Sequence, residues 1–441
     1  MKLQSGTSIL YNYPKPRRSN RIRGSVRPPF LLNVLSKANP FVTRSQRAVI
    51  LQLLHRCFKF QDLRKYKNAK MRSRLALHIR FYDRHRKPFL GNIDVAPLSV
   101  DARSSNTDDN GFDPFAFTVI GSSGYKIHQR LPTPRDAAKR YTLQEVMKLP
   151  GFELIPWDGK NDRPLVTTEG HVIGALIHAP EREDFHENAR QCFNLIQKLG
   201  ATLPPVHPHR RGTHKAIHMG VLHGGGSKVP VIIDNRTVDK MSVERTILDS
   251  EIITKHISHS SAALELWFPK QAVVCCENLL ALLNHSGELA PNSYSSSFPT
   301  LTVNFDNVVC HKHLDDQNYP YSLCSIQPLG PFNPDEGGHL ILWDMKRIIR
   351  FPPHTTILIP SALLMHSNVA IPEGQQRASI IQYAPAELFR YVENGFATDK
   401  YLSANKPELF AQKKKERMTL PEKGLNYFLT MDQLMEYPTT D

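Results

Sequence analysis

Between Pro299 and the turn at Pro372 to Gly374 the chain has little room for helix of ordinary length. Short apolar runs follow one another quickly, cut by turn signals at Asp315-Asp316, Pro331 to Gly338, Pro352-Pro353 and Pro372 to Gly374. Proline removes a backbone donor and clashes inside a helix, so segments bounded this way read as strands. Many short strands at this spacing close most economically as a barrel or jelly roll, which leaves few open sheet edges. Upstream the texture differs. A capped helix is predicted from Thr142 to Leu149, then about three strands in FELIPWD, PLVTTEG and HVIGALIHAP. A helix over Glu181 to Leu199 would set Phe185, Ala189, Cys192, Phe193, Ile196 and Leu199 on one face. Ala262 to Leu283 reads as one long buried helix kinked near Pro269. The fold class is therefore α+β.

Charge divides the molecule differently. The 441 residues carry a formal +15, yet residues 1 to 90 hold 22 Lys and Arg against two acids, Asp62 and Asp83, a net +20 that leaves the remainder at −5. Such segregation calls for a polyanion, and nucleic acid leads. Pro14 to Gly24 (PKPRRSNRIRG) suits an arm along phosphates or a nuclear import signal, with Arg17, Arg18, Arg21 and Arg23 as the backbone contacts. Thr43 to Phe60 has the apolar spacing of a basic amphipathic helix, and residues 75 to 81 alternate like a strand. The organisation expected is a partly folded basic DNA-binding region over 1–100, a linker over 101–139, a catalytic domain over 140–395 and a C-terminal helical tail over 396–441 whose Lys413 to Arg417 run is a solvated face. Six cysteines without CxxC spacing read as free thiols in a reducing compartment. No signal-peptide h-region and no apolar run of about 20 residues occurs, so no membrane partner is expected.

The chemistry concentrates in NVVCHKHLD, Asn307 to Asp315. On a strand, alternate residues share a face, so His313 and Asp315 point the same way and form a metal corner. His339, His354 and His366 follow as possible third ligands. Only His366 is trailed by a basic residue on the next strand, Arg377, across IPEGQQ. Two imidazoles and a carboxylate form the facial triad of non-haem Fe(II) oxygenases, which leaves positions open for co-substrate and dioxygen. The absence of thiolate disfavours structural zinc. Arg377 and Ser379 alternate in RASIIQY, so a guanidinium fork and a hydroxyl face inward together, as the distal carboxylate of 2-oxoglutarate requires.

Over residues 140 to 390 the chain resembles the ten-eleven-translocation and J-binding-protein (TET/JBP) group of 2-oxoglutarate and Fe(II) dioxygenases, above all its fungal, transposon-associated branch. The features that carry the resemblance are FELIPWDG, VIGALIHAP, RRG, the GGG after GVLH, HLD, GGHLILW and H-SNVAIPEGQQ-RAS. It implies a double-stranded β-helix with flanking helices, His313, Asp315 and His366 as iron ligands, and Arg377 and Ser379 as 2-oxoglutarate anchors. It also implies Asn318 as a base-reading residue and Tyr383 as the aromatic that stacks on a flipped base. Where animal and amoeboid members carry a base-contacting His, this chain has Pro385. Independently of the resemblance, an Asn side chain both donates and accepts, and an aromatic face suits a base out of the stack. The bland alternatives are a turn residue for Asn318 and barrel core for Tyr383.

Gly224 to Lys228 is no phosphate loop, because Ser precedes Lys; a tight turn fits better. His207, His209, Arg210, Arg211, His214 and Lys215 match no zinc spacing and read as a basic loop facing phosphate, with Arg210 and Arg211 in contact. Asp335 and Glu336 are expected as solvated loop acids. The expectation is a nuclear, monomeric enzyme on double-stranded DNA. It would use Fe(II), 2-oxoglutarate and O2 to oxidise 5-methylcytosine stepwise to hydroxymethyl, formyl and carboxyl forms. Removal of the N6-methyladenine methyl, an inactive DNA-binding protein, and an oxygenase of RNA or protein are the alternatives.

Overall fold

The computed structural model describes residues 98–99, 119–120, 125–127 and 139–437, apart from 168, 206–213, 236, 294–295, 420–423 and 425. The four arginines of the basic arm, Arg210 and Arg211, and the helix and strand expected before residue 90 lie outside the described residues.

Three short strands come first: β1 (Leu98–Ser99), β2 (Val119–Ile120) and β3 (Lys126–Ile127). Helix α1 (Leu143–Met147) begins where Thr142 and Glu145 form a capping box, as its sequence signals. The three expected strands follow as β4 (Glu153–Ile155), β5 (Arg163–Val166) and β6 (Val172–Ile177), then α2 (Glu183–Thr202). Next come β7 (Ala216–Leu222), β8 (Val231–Ile232), α3 (Val238–Asp249), α4 (Glu251–Trp267) and α5 (Pro269–His285). The single kinked helix expected over 262–283 is instead two helices. Phe268 leaves helical geometry at φ −134° and ψ 59°, Pro269 opens α5 at its first turn, and α4 reaches back to a Ser250 cap. The strand-rich part comprises β9 (Thr300–Asn304), β10 (Cys324–Leu329), β11 (Leu340–Leu342), β12 (Arg347–Ile349), β13 (Thr356–Ile359), β14 (His366–Asn368) and β15 (Ala378–Tyr383). Helices α6 (Ala386–Glu393), α7 (Asp399–Asn405), α8 (Pro407–Met418) and α9 (Met431–Glu436) complete the described chain.

Two sheets result. The larger has nine strands in the order β1-β5-β6-β13-β10-β15-β9-β7-β8, antiparallel except between β1 and β5. The smaller runs β14-β11-β12-β4, with β12 and β4 parallel. From β9 onward the chain keeps crossing between them: β9 in the large sheet, His313 bridged to β14 of the small one, then β10 large, β11 and β12 small, β13 large, β14 small, β15 large.

The period of two sorts the large sheet's residues. Ile217 and Met219 of β7, Leu301 and Val303 of β9, and Ala378 and Ile380 of β15 turn outward and pack on Ala189, Cys192, Phe193 and Ile196 of α2, Ile247 of α3, and Ile253 and Ile257 of α4. Their alternates, Ala216, His218, Thr302, Asn304, Ser379, Ile381 and Tyr383, face a cavity between the sheets.

The C-terminal segment is helical as expected, but its last part belongs to the core. Phe428, Leu429 and Leu434 join the cluster built on β5, β6 and β13, because Val172 donates to the Leu429 carbonyl and His171 bridges to Thr430. Arg417, in the run expected as a solvated face, is buried and reaches Asn394 and Asp399.

Candidate metal centre

The small sheet sets the two histidine ligands. The backbones of His313 and His366 exchange hydrogen bonds of 3.0 and 2.9 Å, which sets the two imidazoles side by side with ring centroids 4.3 Å apart. Each ring is oriented by its own strand: the Nδ1 of His313 bonds the His311 carbonyl at 2.7 Å, and that of His366 bonds the Leu364 carbonyl at 2.9 Å. A carbonyl only accepts, so each Nδ1 carries the proton and each Nε2 offers a lone pair. Those Nε2 atoms lie 3.6 and 3.9 Å from the two oxygens of Asp315, and one ligand atom from each residue falls within 4.8 Å of the others. Donors held by one ion at about 2.1 Å stand between about 3 and 4.2 Å apart at right-angle to opposed geometry, so both carboxylate distances fit. Backbone carbonyls behind both rings are the support a metal-bound histidine ordinarily has. The set Nε2, Nε2 and carboxylate suits Fe(II) and leaves one side uncovered by protein.

Asp315 opens a tight turn. Its backbone N–H donates to Ser361, and its carbonyl accepts from Asn318 N–H at 2.8 Å. The Asn318 amide donates to Ser361 Oγ at 3.0 Å, with a longer 3.5 Å approach to Asp315 Oδ2. Asn318 therefore lines the cavity as expected, but its NH2 group is committed to holding the metal carboxylate, and its amide oxygen alone is left to face a ligand.

Arg377 stands on the same cavity. It is 4% exposed, its Nε has no hydrogen-bond partner, and its longest reach is a 3.5 Å contact from Nη1 to the Val308 carbonyl. Burial pulls its pKa down to about 10. No carboxylate pairs with it among the described residues. A buried unpaired guanidinium costs several kcal/mol, and a bidentate carboxylate is the ligand that removes the cost. Ser379, one alternation along β15, accepts from Asn304 Nδ2 at 3.0 Å and keeps its own hydroxyl proton to donate. The residues present fit a dicarboxylate chelator such as 2-oxoglutarate.

The cavity measures about 630 Å³. Its walls include the triad, Arg377, Ser379, Asn318 and Tyr383, so the structure brings every described site residue of the sequence analysis to one space. Tyr383 is half-buried and packs against the main core cluster as well as lining the cavity. The rival histidines go elsewhere. His339 is buried with its pKa pushed down to about 4, and His354 turns its Nδ1 to His186 at 3.1 Å. Asp335 is held by Arg350, and Lys215, expected to face phosphate, instead bonds the Gly200 carbonyl near the end of α2. The Gly224 to Ser227 segment is the tight turn expected, closed by Ser227 N–H on the Gly224 carbonyl at 3.0 Å.

Sequence reasoning missed Asn304, His218, Gln317, His223 and Glu387 on the cavity wall. Asn304 was findable: alternation in LTVN places it inward, opposite Ser379. His218, bound through Nδ1 to Thr302 at 2.7 Å, lies on β7, a strand that the sequence analysis did not anticipate.

No family model matches the chain, and no curated protein does. Among solved structures it is similar to NgTET1 in complex with 5mC DNA, at 15% identity and TM-score 0.36 over 53% of this chain and 82% of that one. It is also similar to an oxidoreductase of the 2OG-Fe(II) oxygenase family from Burkholderia pseudomallei, at 14% identity and TM-score 0.26 over 43% and 77%. At those scores the likeness leaves function to the residues themselves. No helix among the described residues is long and apolar enough to cross a membrane.

Proposed function

We propose that the chain is an Fe(II)- and 2-oxoglutarate-dependent dioxygenase of TET/JBP type that oxidises methyl groups on DNA bases, first of all 5-methylcytosine. The observation that carries the chemistry is one cavity shared by an open two-histidine, one-carboxylate corner and a buried guanidinium with no acid beside it. The crossing of strands between two sheets around that cavity supports a double-stranded β-helix.

His313, Asp315 and His366 hold the metal; Arg377 and Ser379 hold the far carboxylate of 2-oxoglutarate. Iron bound there supplies activation of dioxygen, coupled to decarboxylation of 2-oxoglutarate and hydroxylation of a C–H bond. The residues of the chain do the rest. Ser361 and Asn318 fix the ligating carboxylate, the apolar side chains Ile326, Leu340, Phe351 and Ile381 limit water, and Tyr383 offers a face for stacking. A methyl group inside a duplex cannot reach a metal so enclosed, so the base must be taken out of the stack. The +20 region before residue 90 fits the role of holding the phosphates meanwhile, and the same charge suits nuclear import.

The test incubates the purified chain with Fe(II), ascorbate, 2-oxoglutarate and duplexes carrying 5-methylcytosine or N6-methyladenine, then weighs the digested nucleosides. Oxidised cytosine that is absent with Asp315→Ala is the expected outcome. Loss of methyladenine alone would change the base. No product from either, with iron bound, would end the DNA reading.

A further inference from the structure

We propose that Glu387 reads the flipped base by accepting a hydrogen bond from its exocyclic amino group. The inference rests on the function proposed above and names the residue that makes the choice. Strand β15 delivers Ser379, Ile381 and Tyr383 to the cavity, the chain turns at Pro385, and Glu387, in the first turn of α6, still stands on the wall. That turn is tied to the metal-bearing segment: Ala386 N–H donates to the Gln317 carbonyl at 2.9 Å, and Pro385 bridges to Asn318, three residues past Asp315.

The carboxylate is positioned from two sides. Its Oε1 accepts from Arg390 Nη2 at 2.9 Å. Its Oε2 lies against Gly224, where a Cβ would collide with it, and Gly224 sits at φ +130°, where a side chain would be strained in any case. Glycine at this position is what lets the Glu387 carboxylate take its place at the cavity. Among the described residues no donor is bound to Oε2.

The chemistry of the wall then selects the ligand. Asp315 and Glu387 are the acidic side chains on the lining among the described residues, and Asp315 is taken up with the two histidines. A second carboxylate in a cavity that must admit a nucleotide repels phosphate, so it helps binding only by meeting a donor. Carboxylates accept and do not donate. The amino groups of cytosine and adenine donate; thymine, which carries the same C5 methyl as 5-methylcytosine, presents a carbonyl there instead. Asn318, whose NH2 is bound to Ser361, offers only a neutral amide oxygen, a weaker acceptor for an amino group than the charged Glu387 carboxylate. Glu387 also favours α6 through its place near the helix N-terminus and its pair with Arg390. That structural role predicts a change in stability but none in base choice.

The test compares wild type, Glu387→Gln and Glu387→Ala on duplexes identical except for one 5-methylcytosine, N6-methyladenine or thymine. Two quantities are read: single-turnover oxidation, and equilibrium affinity of the iron- and 2-oxoglutarate-loaded protein without oxygen. Wild type should favour its better amino-bearing base over thymine by about 100-fold, since a site that orients a polar group rejects the analogue lacking it. A glutamine can turn either its oxygen or its NH2 to the base, so Glu387→Gln should lose about tenfold on the amino base, gain on thymine, and bring the ratio within about threefold. Glu387→Ala should lose on the amino base without gaining on thymine. An unchanged ratio in Glu387→Gln, with wild type active and both variants melting as wild type does, overturns the assignment alone. Wild type inert on all three duplexes overturns the function and the assignment together.

Discussion

Two groups of histidines in this molecule share a residue type and almost nothing else. His313 and His366 sit on adjacent strands beside a cavity, with each Nδ1 tied to a carbonyl of its own strand and each Nε2 turned to Asp315. His256, His259 and His354, with His186, lie where α2 and α4 meet the turn before β13, around the ring of Phe185. Burial pushes His256 down to about 3 and His259 and His354 down to about 4, so at neutral pH these three are uncharged packing. What separates a ligand from a core residue here is the carboxylate and the carbonyls behind it, not the number of imidazoles. A chain with 20 His offers many false corners, and geometry leaves one among the described residues.

The sharpest way to break this contrast is to remove the carboxylate. Asp315→Ala should reduce Fe(II) affinity by at least about 100-fold, because two imidazoles alone close no facial site. Isothermal titration checks it, and the matched change His256→Leu in the packed group should leave Fe(II) affinity within about twofold. Retained iron binding in Asp315→Ala would dissolve the distinction. Arg377→Leu should come next, with unchanged metal binding and about 100-fold weaker 2-oxoglutarate, since one fork of charge-assisted bonds is lost. Because the guanidinium is buried without an acidic partner, the same change should keep or raise the melting temperature, whereas breaking a buried ion pair would lower it. Smaller again is Ser361→Ala, which frees the Asn318 amide behind Asp315 and should weaken metal binding about tenfold, the usual scale for a ligand's supporting partner.

The same contrast explains what the sequence disclosed. His313 and Asp315 were legible because a strand's period of two is simple, and His366 because its distance to Arg377 matched one turn and one strand. Their supports were not. Ser361 reaches Asn318 and Glu387 reaches Gly224 across gaps of 43 and 163 positions, and no local pattern encodes such meetings. The strand after the basic stretch was not legible either: Ala216 to Leu222 is held by pairing such as His218 with Thr302 and Met219 with Leu301, partners more than 80 positions away. Apolar periodicity found α2, but its N-terminal limit and the break at Phe268 depend on caps and on what packs beside them.

The smallest effect lies in acid. A histidine whose pKa is lower folded than unfolded leaves the unfolded chain holding more protons between the two values, so stability falls as pH drops through that window. For His256, His259, His339 and His354 the window runs from the ordinary 6.5 down to about 4, and for His256 to about 3. His178 works the other way. Its hydrogen bond to Asp162 raises its pKa, so its contribution is complete below the unfolded value and is lost as pH rises through the folded one. Glu393, raised by burial to about 7, opposes the decline in the same way, but the four histidines outnumber these two, and stability should therefore decline from pH 6.5 to 4, by about 1.4 kcal/mol per pH unit for each fully uncompensated proton. His256→Leu removes one such proton and should flatten the urea-stability slope by about one unit of that size, even if the baseline at pH 7 moves. An unchanged slope in His256→Leu would mean that this buried imidazole does not titrate in the window, and the reading of the group as uncharged packing would fail.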